Sequence, residues 1–109
     1  MPGGASNFNL ALGLFTLPST TSGSQNTAIG YGALSSNSTR IWNTATGFGA
    51  LNLNQKGNKN TATGDNALGG NIDGSQNTAT GVRTLALNTH GGLSHNPKVV
   101  RAIAQPRLD

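Results

Sequence analysis

The stretch NTATGFGAL, residues 43–51, contains the pattern that decides the fold of this chain. Its first five letters, Asn-Thr-Ala-x-Gly, recur at a fixed period of seventeen positions. Complete copies start at Asn26, Asn43, Asn60 and Asn77, and a degenerate copy, NLALG, starts at Asn9. A fixed period of this length is the mark of a solenoid, in which each period forms one coil. The sequence therefore predicts an all-β fold, a parallel β-solenoid (β-roll) of about five coils over residues 9–93.

Other positions keep the same phase as this pattern. A leucine follows each copy at a fixed distance, and a threonine or asparagine comes three residues after that leucine. The leucines are Leu17, Leu34, Leu51, Leu68 and Leu85, and the asparagines are Asn37, Asn54, Asn71 and Asn88. Stacked coils place such residues above one another about 4.8 Å apart. We therefore expect an interior of alanine, glycine and leucine, with asparagine ladders joined by amide hydrogen bonds along the axis.

The period that begins at residue 26 serves as a template for one coil. Alternation along a strand at residues 26–30 turns Ala28 inward and Ile29 outward. A second short strand is expected at residues 33–34, and the rest of the coil is turn. The glycines that close each coil, such as Gly57, are expected to supply a positive φ at the bend.

The composition is unusual for a folded domain of 109 residues. Only 34% of the residues are apolar and 9% are charged. Such a composition alone is typical of disordered chains, but disorder does not explain leucine and alanine held in phase over five copies. Seven basic and three acidic residues give a net charge of +4, without the stacking aromatics or motif of a nucleic-acid-binding protein. No nucleic-acid partner is therefore expected.

Cysteine content and apolar runs limit the other classes. No cysteine is present, so neither a disulfide framework nor a thiolate metal site is possible. No apolar run approaches the length that spans a bilayer. The stretch FNLALGLFTL at residues 8–17 has the length of a signal-peptide core, but the first basic residue of the chain is Arg40. We interpret this stretch as the first coil, and we expect no membrane insertion and any export signal to lie outside the chain.

Few residues offer catalytic or metal-binding chemistry. His90 and His95 have no carboxylate or cysteine partner in phase, which makes them weak metal ligands. The sequon Asn37-Ser38-Thr39 is expected by chance in a chain so rich in asparagine and threonine. The glycines are accounted for by the period, so no phosphate-binding loop is predicted. We therefore expect no enzyme activity, no cofactor and no metal site.

The side of the strand that alternation turns away from the core, here called the outward face, decides the function. Its residues, coil by coil, are Leu10, Leu12 and Leu14; Thr27, Ile29 and Tyr31; Thr44, Thr46 and Phe48; Thr61, Thr63 and Asp65; and Thr78, Thr80 and Val82. Exposed apolar faces of this kind usually mark an interface. A homotrimer that packs these faces around a shared axis would bury Leu10, Leu12, Leu14, Ile29, Tyr31, Phe48 and Val82.

Two phrases, NTAIGYGAL at residues 26–34 and NTATGFGAL at residues 43–51, resemble the head repeats of trimeric autotransporter adhesins and of related phage-type tail-fibre repeat proteins. The resemblance covers about residues 9–93. It implies a left-handed β-roll of three packed chains, with a non-catalytic, structural and adhesive role in an extracellular fibre on a cell surface or virion. The partner would be a host surface, matrix or other substratum. The repeat is longer here than in the best-known heads, and threonine replaces the apolar residue at positions 46, 63 and 80.

Three Thr-x-Thr strands predict an alternative function. Their threonines are Thr44, Thr46, Thr61, Thr63, Thr78 and Thr80. In a parallel stack they would form two flat, regularly spaced rows of hydroxyl and methyl groups, an arrangement similar to that of known ice-binding solenoids. Against this alternative, the same columns carry leucine and isoleucine in the first two coils, and Asp65 interrupts the margin of the array.

Both ends of the chain leave the repeat. Residues 1–8 are interpreted as an N-terminal extension and residues 94–109 as a C-terminal cap or flexible tail. Between Pro97 and Pro106, the stretch KVVRAIAQ is expected to form two helical turns. Such an element would cap the open end of the solenoid, because unpaired strand edges invite aggregation.

Overall fold

A computed structural model describes residues 8–17, 22–37 and 39–86, together with the strand Val99–Arg101. Six three-residue strands form a single sheet: β1 (Leu10–Leu12), β2 (Thr27–Ile29), β3 (Thr44–Thr46), β4 (Thr61–Thr63), β5 (Thr78–Thr80) and β6 (Val99–Arg101). They lie in the sheet in chain order, all neighbours are parallel, and the described residues contain no helix. The predicted all-β parallel solenoid is confirmed.

Strands β1 to β5 pair in register, and each pairing joins residues that are one period apart. Thr27 lies beside Thr44, for example, and Thr44 lies beside Thr61. Backbone hydrogen bonds join the coils, such as the bond of 2.9 Å from Thr27 N to Asn43 O and the bond of 2.7 Å from Gly47 N to Ile29 O. A three-residue strand makes too few bonds to be stable alone, so the sheet depends on the stacking of successive coils.

Alanine and leucine fill the interior of the coils. The alanines at the centres of β2 to β5 are fully buried: Ala28, Ala45, Ala62 and Ala79. Leu34, Leu51 and Leu68 are fully buried in the turn that follows each strand, and Leu17 is nearly so. Each fully buried leucine contributes roughly 2 kcal/mol through the hydrophobic effect. The predicted core is therefore confirmed at these positions, whereas Ala11 at the centre of β1 is exposed and Leu85 is only partly buried.

Ala33 and Leu34 belong to a turn, and the prediction of a second strand there is wrong. Leu34 has a φ of 53°, and Ala33 N donates a hydrogen bond of 3.2 Å to Gly30 O. A positive φ is incompatible with an extended strand. The tight turn directs the Leu34 side chain into the core within a few residues of β2. The burial of this side chain is therefore predicted correctly, but the backbone conformation of Leu34 is not.

The glycine that closes a coil has a different role from the one predicted. Positive φ angles occur instead just before the ladder asparagines, as at Gln25 (59°) and Trp42 (59°). Gly57 lies outside the positive-φ region, but a Cβ atom at this position would overlap the carbonyl oxygen of Gly74 in the next coil. Glycine is needed there because two coils approach closely, and not because the chain bends.

Two ladders of buried asparagine run along the axis, as predicted. Their described members with at most 1% exposure are Asn26, Asn37, Asn43, Asn54, Asn60, Asn71 and Asn77. In one ladder the side-chain oxygen accepts from the backbone of the next coil, as in the bond of 2.9 Å from Asn43 N to Asn26 Oδ1. In the other ladder the amides bond directly, as in the bond of 2.9 Å from Asn71 Nδ2 to Asn54 Oδ1. Asn88 lies outside the described residues.

The two ladders also hold the turn between them. Asn43 Nδ2 and Asn54 Nδ2 both donate to the carbonyl oxygen of Gly57, at 3.0 and 2.9 Å. The same pair of bonds recurs one coil later on Gly74. Buried carbonyl groups need such partners. The ladders therefore fix successive coils in one register, and the outward face follows that register.

Strand β6 covers the C-terminal edge of the sheet. Val99 lies beside Thr78 and Arg101 beside Thr80, so β6 pairs at a wider sequence spacing than the earlier strands do. The predicted helix is therefore wrong for residues 99–101, because pairing with the edge of β5 satisfies backbone groups on both strands. The rest of the predicted cap and the N-terminal residues 1–7 lie outside the described residues.

Candidate interaction face

Of the seven residues predicted to contact partner chains, three lie in β1 and β2, and the other four lie in the turns that follow the strands. Ile29 is half-buried, and the other six side chains are 47–69% exposed. The buried alanines of β2 to β5 point to the opposite side of the sheet, because side chains alternate along a strand. Several large apolar side chains are therefore left in contact with solvent at these positions.

Aromatic rings join three successive coils along this face. The rings of Phe15 and Tyr31 meet edge to face, with centroids 5.3 Å apart and an interplanar angle of 83°. The rings of Tyr31 and Phe48 are stacked, with centroids 5.3 Å apart and an interplanar angle of 8°. Each such contact contributes about 1 kcal/mol beyond the burial of area. The three side chains, here called the aromatic ridge, remain about half exposed or more.

Threonine forms two columns on the outward face, one for each outward position of the strands. The register places Thr27, Thr44, Thr61 and Thr78 in one unbroken column, and Thr46, Thr63 and Thr80 in the other. Neighbouring threonines lie about 4.8 Å apart along the sheet and about 7 Å apart along a strand. Three of the six predicted threonines, Thr61, Thr63 and Thr80, are exposed, and the other three are half-buried.

The character of the outward face changes along the axis. Its N-terminal coil carries three exposed leucines, whereas the coil of β4 carries two exposed threonines and the exposed Asp65. Asp65 lies in the column of Tyr31 and Phe48, where an aromatic side chain would otherwise continue the ridge. The face therefore has an apolar end and a polar end, and a partner would meet a different chemistry at each.

Sequence reasoning misses several of the exposed residues. Phe15 lies one residue after the column that begins at Leu14. The apolar run at residues 8–17 is the sequence feature that could have identified it. Trp42 and Leu53 are 47% and 43% exposed and lie off the outward face. The Nζ atom of Lys59 lies 5.0 Å from the centroid of a Trp42 ring, a cation–π contact that contributes about 0.5–1 kcal/mol at an exposed site. In the sequence, Trp42 and Leu53 can be recognised as apolar residues within polar turns.

The remaining described residues offer little other chemistry. Within the described ranges no group of three histidine, cysteine or acidic side chains could hold a metal ion, and His90 and His95 fall outside these ranges. Asn37, the acceptor of the sequon, is fully buried in its ladder and is not accessible for glycosylation. Over the same part of the chain, no helix is long and apolar enough to cross a bilayer.

Comparison with known proteins leaves the outward face as the main guide to function. No protein-family model, no curated protein and no solved structure matches this chain. The exposed residues, and the register that aligns them, therefore indicate the function.

Proposed function

We propose that this chain is a non-catalytic, structural and adhesive segment of an extracellular surface fibre, similar to an adhesin head or a tail fibre. One observation carries the proposal: six large apolar side chains at the predicted contact positions remain 47–69% exposed, and five of them lie in the first three coils. Large apolar side chains grouped on the surface of a monomer often mark an interface. A homotrimer around a shared axis would cover the face of all three chains with one closed symmetry.

The change of character along the axis favours parallel, in-register packing. Parallel chains place Leu10 and Leu12 against the leucines of their neighbours and threonine against threonine. Antiparallel chains would place these leucines near threonine and Asp65 of a neighbour. Burial of polar or charged groups against an apolar surface is costly. The fibre axis would therefore follow the axis of the solenoid.

The turns would supply the adhesive surface of such a fibre. Their exposed positions differ from coil to coil, as at Trp42, Leu53 and Lys56, whereas the buried asparagines and leucines recur. Variation at exposed turns changes the surface offered to a host, matrix or other substratum without changing the core. Binding surfaces of repeat proteins commonly use such positions.

Light scattering coupled to size-exclusion chromatography tests the fibre proposal. We expect the wild-type chain to have three times the mass of a single chain. The double substitution Leu12→Asp and Tyr31→Asp places charges on the outward face and is expected to give a folded monomer. Gln55→Asp, at an exposed turn off the outward face, is the matched control and should remain trimeric. A wild-type chain that is monomeric at all concentrations contradicts the proposal.

The threonine columns favour a second candidate function, the binding of ice. The observation behind it is the in-register pairing of β2 to β5, which gives a regular array of methyl and hydroxyl groups. Crystal shaping and thermal hysteresis measure this activity. Thr63→Leu is expected to abolish it, and Gln55→Leu is not. A monomer that shapes ice and loses this ability with Thr63→Leu contradicts the fibre proposal, whereas a trimer without effect on ice rejects the alternative.

A further inference from the structure

A notch opens in the C-terminal half of the solenoid, where the repeat pattern is interrupted. Gly69 and Gly70 occupy the positions that Asn52 and Leu53 hold one coil earlier. Because two side chains are missing, a cavity of about 350 Å³ lies at this point, lined in part by Leu53 and Ala86. The notch is therefore a local departure from the period, and departures on the exposed side of a repeat protein are candidates for binding.

The backbone around the notch is held on both sides by bonds between coils. Leu53 N donates a hydrogen bond of 3.3 Å to Gly69 O, and Gly70 N donates one of 2.9 Å to Ala86 O. The two glycines thus belong to the same ladder of turns as the rest of the solenoid. A ligand would find the notch already formed, which lowers the entropic cost of binding.

Three polar side chains line the notch: Asn52, Asn66 and Arg83. Asn52 Nδ2 donates to Gly32 O at 3.2 Å and to Ser35 Oγ at 2.9 Å, which fixes the orientation of this amide. Within the described part of the chain, the Asn52 Oδ1 atom and the side-chain amide of Asn66 make no hydrogen bond, whereas the backbone N–H of Asn66 donates to Phe48 O. These groups can therefore accept from or donate to the hydroxyl groups of a ligand.

Arg83 gives the notch its charge. Its side chain is exposed, and among the described residues it makes no ion pair or hydrogen bond. Its backbone N–H donates to Asp65 O at 2.7 Å, which anchors the residue at the notch. A guanidinium group offers a planar fork that matches a carboxylate with two parallel hydrogen bonds. The complementary ligand therefore carries an oxyanion, for which a carboxylate is the smallest group with the matching geometry.

We propose that the notch binds a sugar acid, that is, a single sugar ring that carries a carboxylate. Arg83 pairs with the carboxylate, the amides of Asn52 and Asn66 bond to ring hydroxyls, and Leu53 contacts the C–H face of the ring. The cavity volume is at the lower end of the range for small-ligand pockets, which suits one ring. This assignment deepens the adhesive part of the proposed function and rests on it, but it does not depend on trimer formation.

Titration of the full chain with sodium glucuronate, followed by ¹H–¹⁵N NMR spectroscopy, tests the proposal. We expect saturable shifts at the backbone amides of Gly69 and Gly70 and at the side-chain amide of Asn66. Glucose has a similar ring without the carboxylate. Its affinity is expected to be lower by a factor of about ten or more, because it lacks the charge-assisted bonds. Acetate, which has the carboxylate without the ring, is also expected to bind more weakly.

Three variants locate the binding site. Arg83→Gln removes the charge with little change in size and is expected to weaken glucuronate binding about tenfold. Gly70→Leu restores the side chain found one coil earlier and is expected to abolish binding by filling the notch. Lys56→Gln removes an exposed positive charge elsewhere on the turns and should leave binding unchanged. Arg83→Gln keeps the test valid if Gly70→Leu does not fold.

Several outcomes would overturn the sugar-acid site. These are an equal loss of binding in Lys56→Gln, shifts scattered over the surface, an absence of saturation, or an equal response to glucose or acetate. Light scattering on the same samples separates this result from the fibre proposal. A trimer that does not bind glucuronate contradicts the notch assignment alone, and a monomer that binds it contradicts the trimer alone.

Discussion

The interior of the solenoid and its outward face obey different rules. Inside, asparagine, alanine and leucine recur in the described coils. Alanine pairs with alanine and asparagine bonds to asparagine one period away. Outside, one column passes from Leu14 through Tyr31 and Phe48 to Asp65 and Val82. An interior change affects two neighbouring coils, whereas an outward change affects solvent or a partner. The comparison indicates that the repeated part of each coil provides stability and the varied part provides recognition.

The largest expected effect comes from breaking an asparagine ladder at Asn60. Its Oδ1 accepts from Asn77 N at 3.0 Å, and its Nδ2 donates to Gly74 O at 2.8 Å. Asn60→Ala removes the acceptor of Asn77 N and Asn77 Nδ2, and it leaves Gly74 O with Asn71 Nδ2 as its donor; a buried group that loses its partner costs about 1–3 kcal/mol. We expect the free energy of unfolding, measured with urea, to fall by about 4 kcal/mol. Gln55→Ala, at an exposed turn, should change the free energy of unfolding by less than about 0.5 kcal/mol. Equal losses in the two variants would contradict the stabilising role of the ladder.

Two leucines in one coil sharpen the comparison between inside and outside. Leu51 is fully buried and Leu53 is 43% exposed. Leu51→Ala removes the one large core side chain of its coil and is expected to cost about 3 kcal/mol. Leu53→Ala removes a side chain that solvent already reaches, so about 0.5 kcal/mol is expected. Thermal and urea unfolding of the pair provide the measurement, and similar losses would contradict the assigned core.

Two glycines test the backbone of the same turn. Gly47 has a φ of 132°, and a Cβ atom there would lie 2.6 Å from the carbonyl oxygen of Gly64 in the next coil. Gly49 has a φ of 67°, and a Cβ atom there would meet the end of the flexible Asn66 side chain. We expect Gly47→Ala to cost about 3 kcal/mol and Gly49→Ala about 1 kcal/mol. The reverse order of melting temperatures would contradict the close approach of the coils.

The smallest effect on stability is expected on the outward face. Thr63→Ala removes an exposed side chain from β4, and we expect the free energy of unfolding to change by no more than about 0.5 kcal/mol. The measurement is best made in a chain that also carries Leu12→Asp and Tyr31→Asp, because that background separates the stability of the coils from association. A loss as large as that of Leu51→Ala would mean that the threonine columns also hold the coils together.

The period predicts most of the fold, because the fold is built from columns of like residues. The strands, their parallel register, the leucine core and both ladders follow from positions that repeat once in every coil. The backbone at Leu34 does not follow, since a positive φ at leucine arises from the packing of neighbouring coils and leaves no local signal. Strand β6 is missed for a related reason. Its residues pair with β5 outside the period of the repeat, and tertiary context outweighs their local preference.

The candidate sites are predicted less completely than the fold. Alternation along the strands predicts the side of Leu10, Leu12 and Ile29, whereas Leu14, Tyr31, Phe48 and Val82 lie in the turns that follow the strands, and contact of all seven with partner chains stays a prediction. The notch is not predicted from the sequence, because the pair Gly69-Gly70 is also typical of an ordinary turn. Only the comparison of Gly70 with Leu53 in the neighbouring coil shows that a side chain is missing. A departure from the period is the available signal, and it becomes informative once the register is fixed.

The constant spacing between β1 and β5 also bears on how the chain folds. Every strand pairing in this part joins residues that are a single period apart. Each pairing therefore closes only a short loop, and folding rates are highest when contacts are local in sequence. A coil can dock as soon as its own residues have emerged from a ribosome or a pore, without waiting for the far end of the chain. The solenoid can consequently lengthen by whole coils without a slower folding reaction.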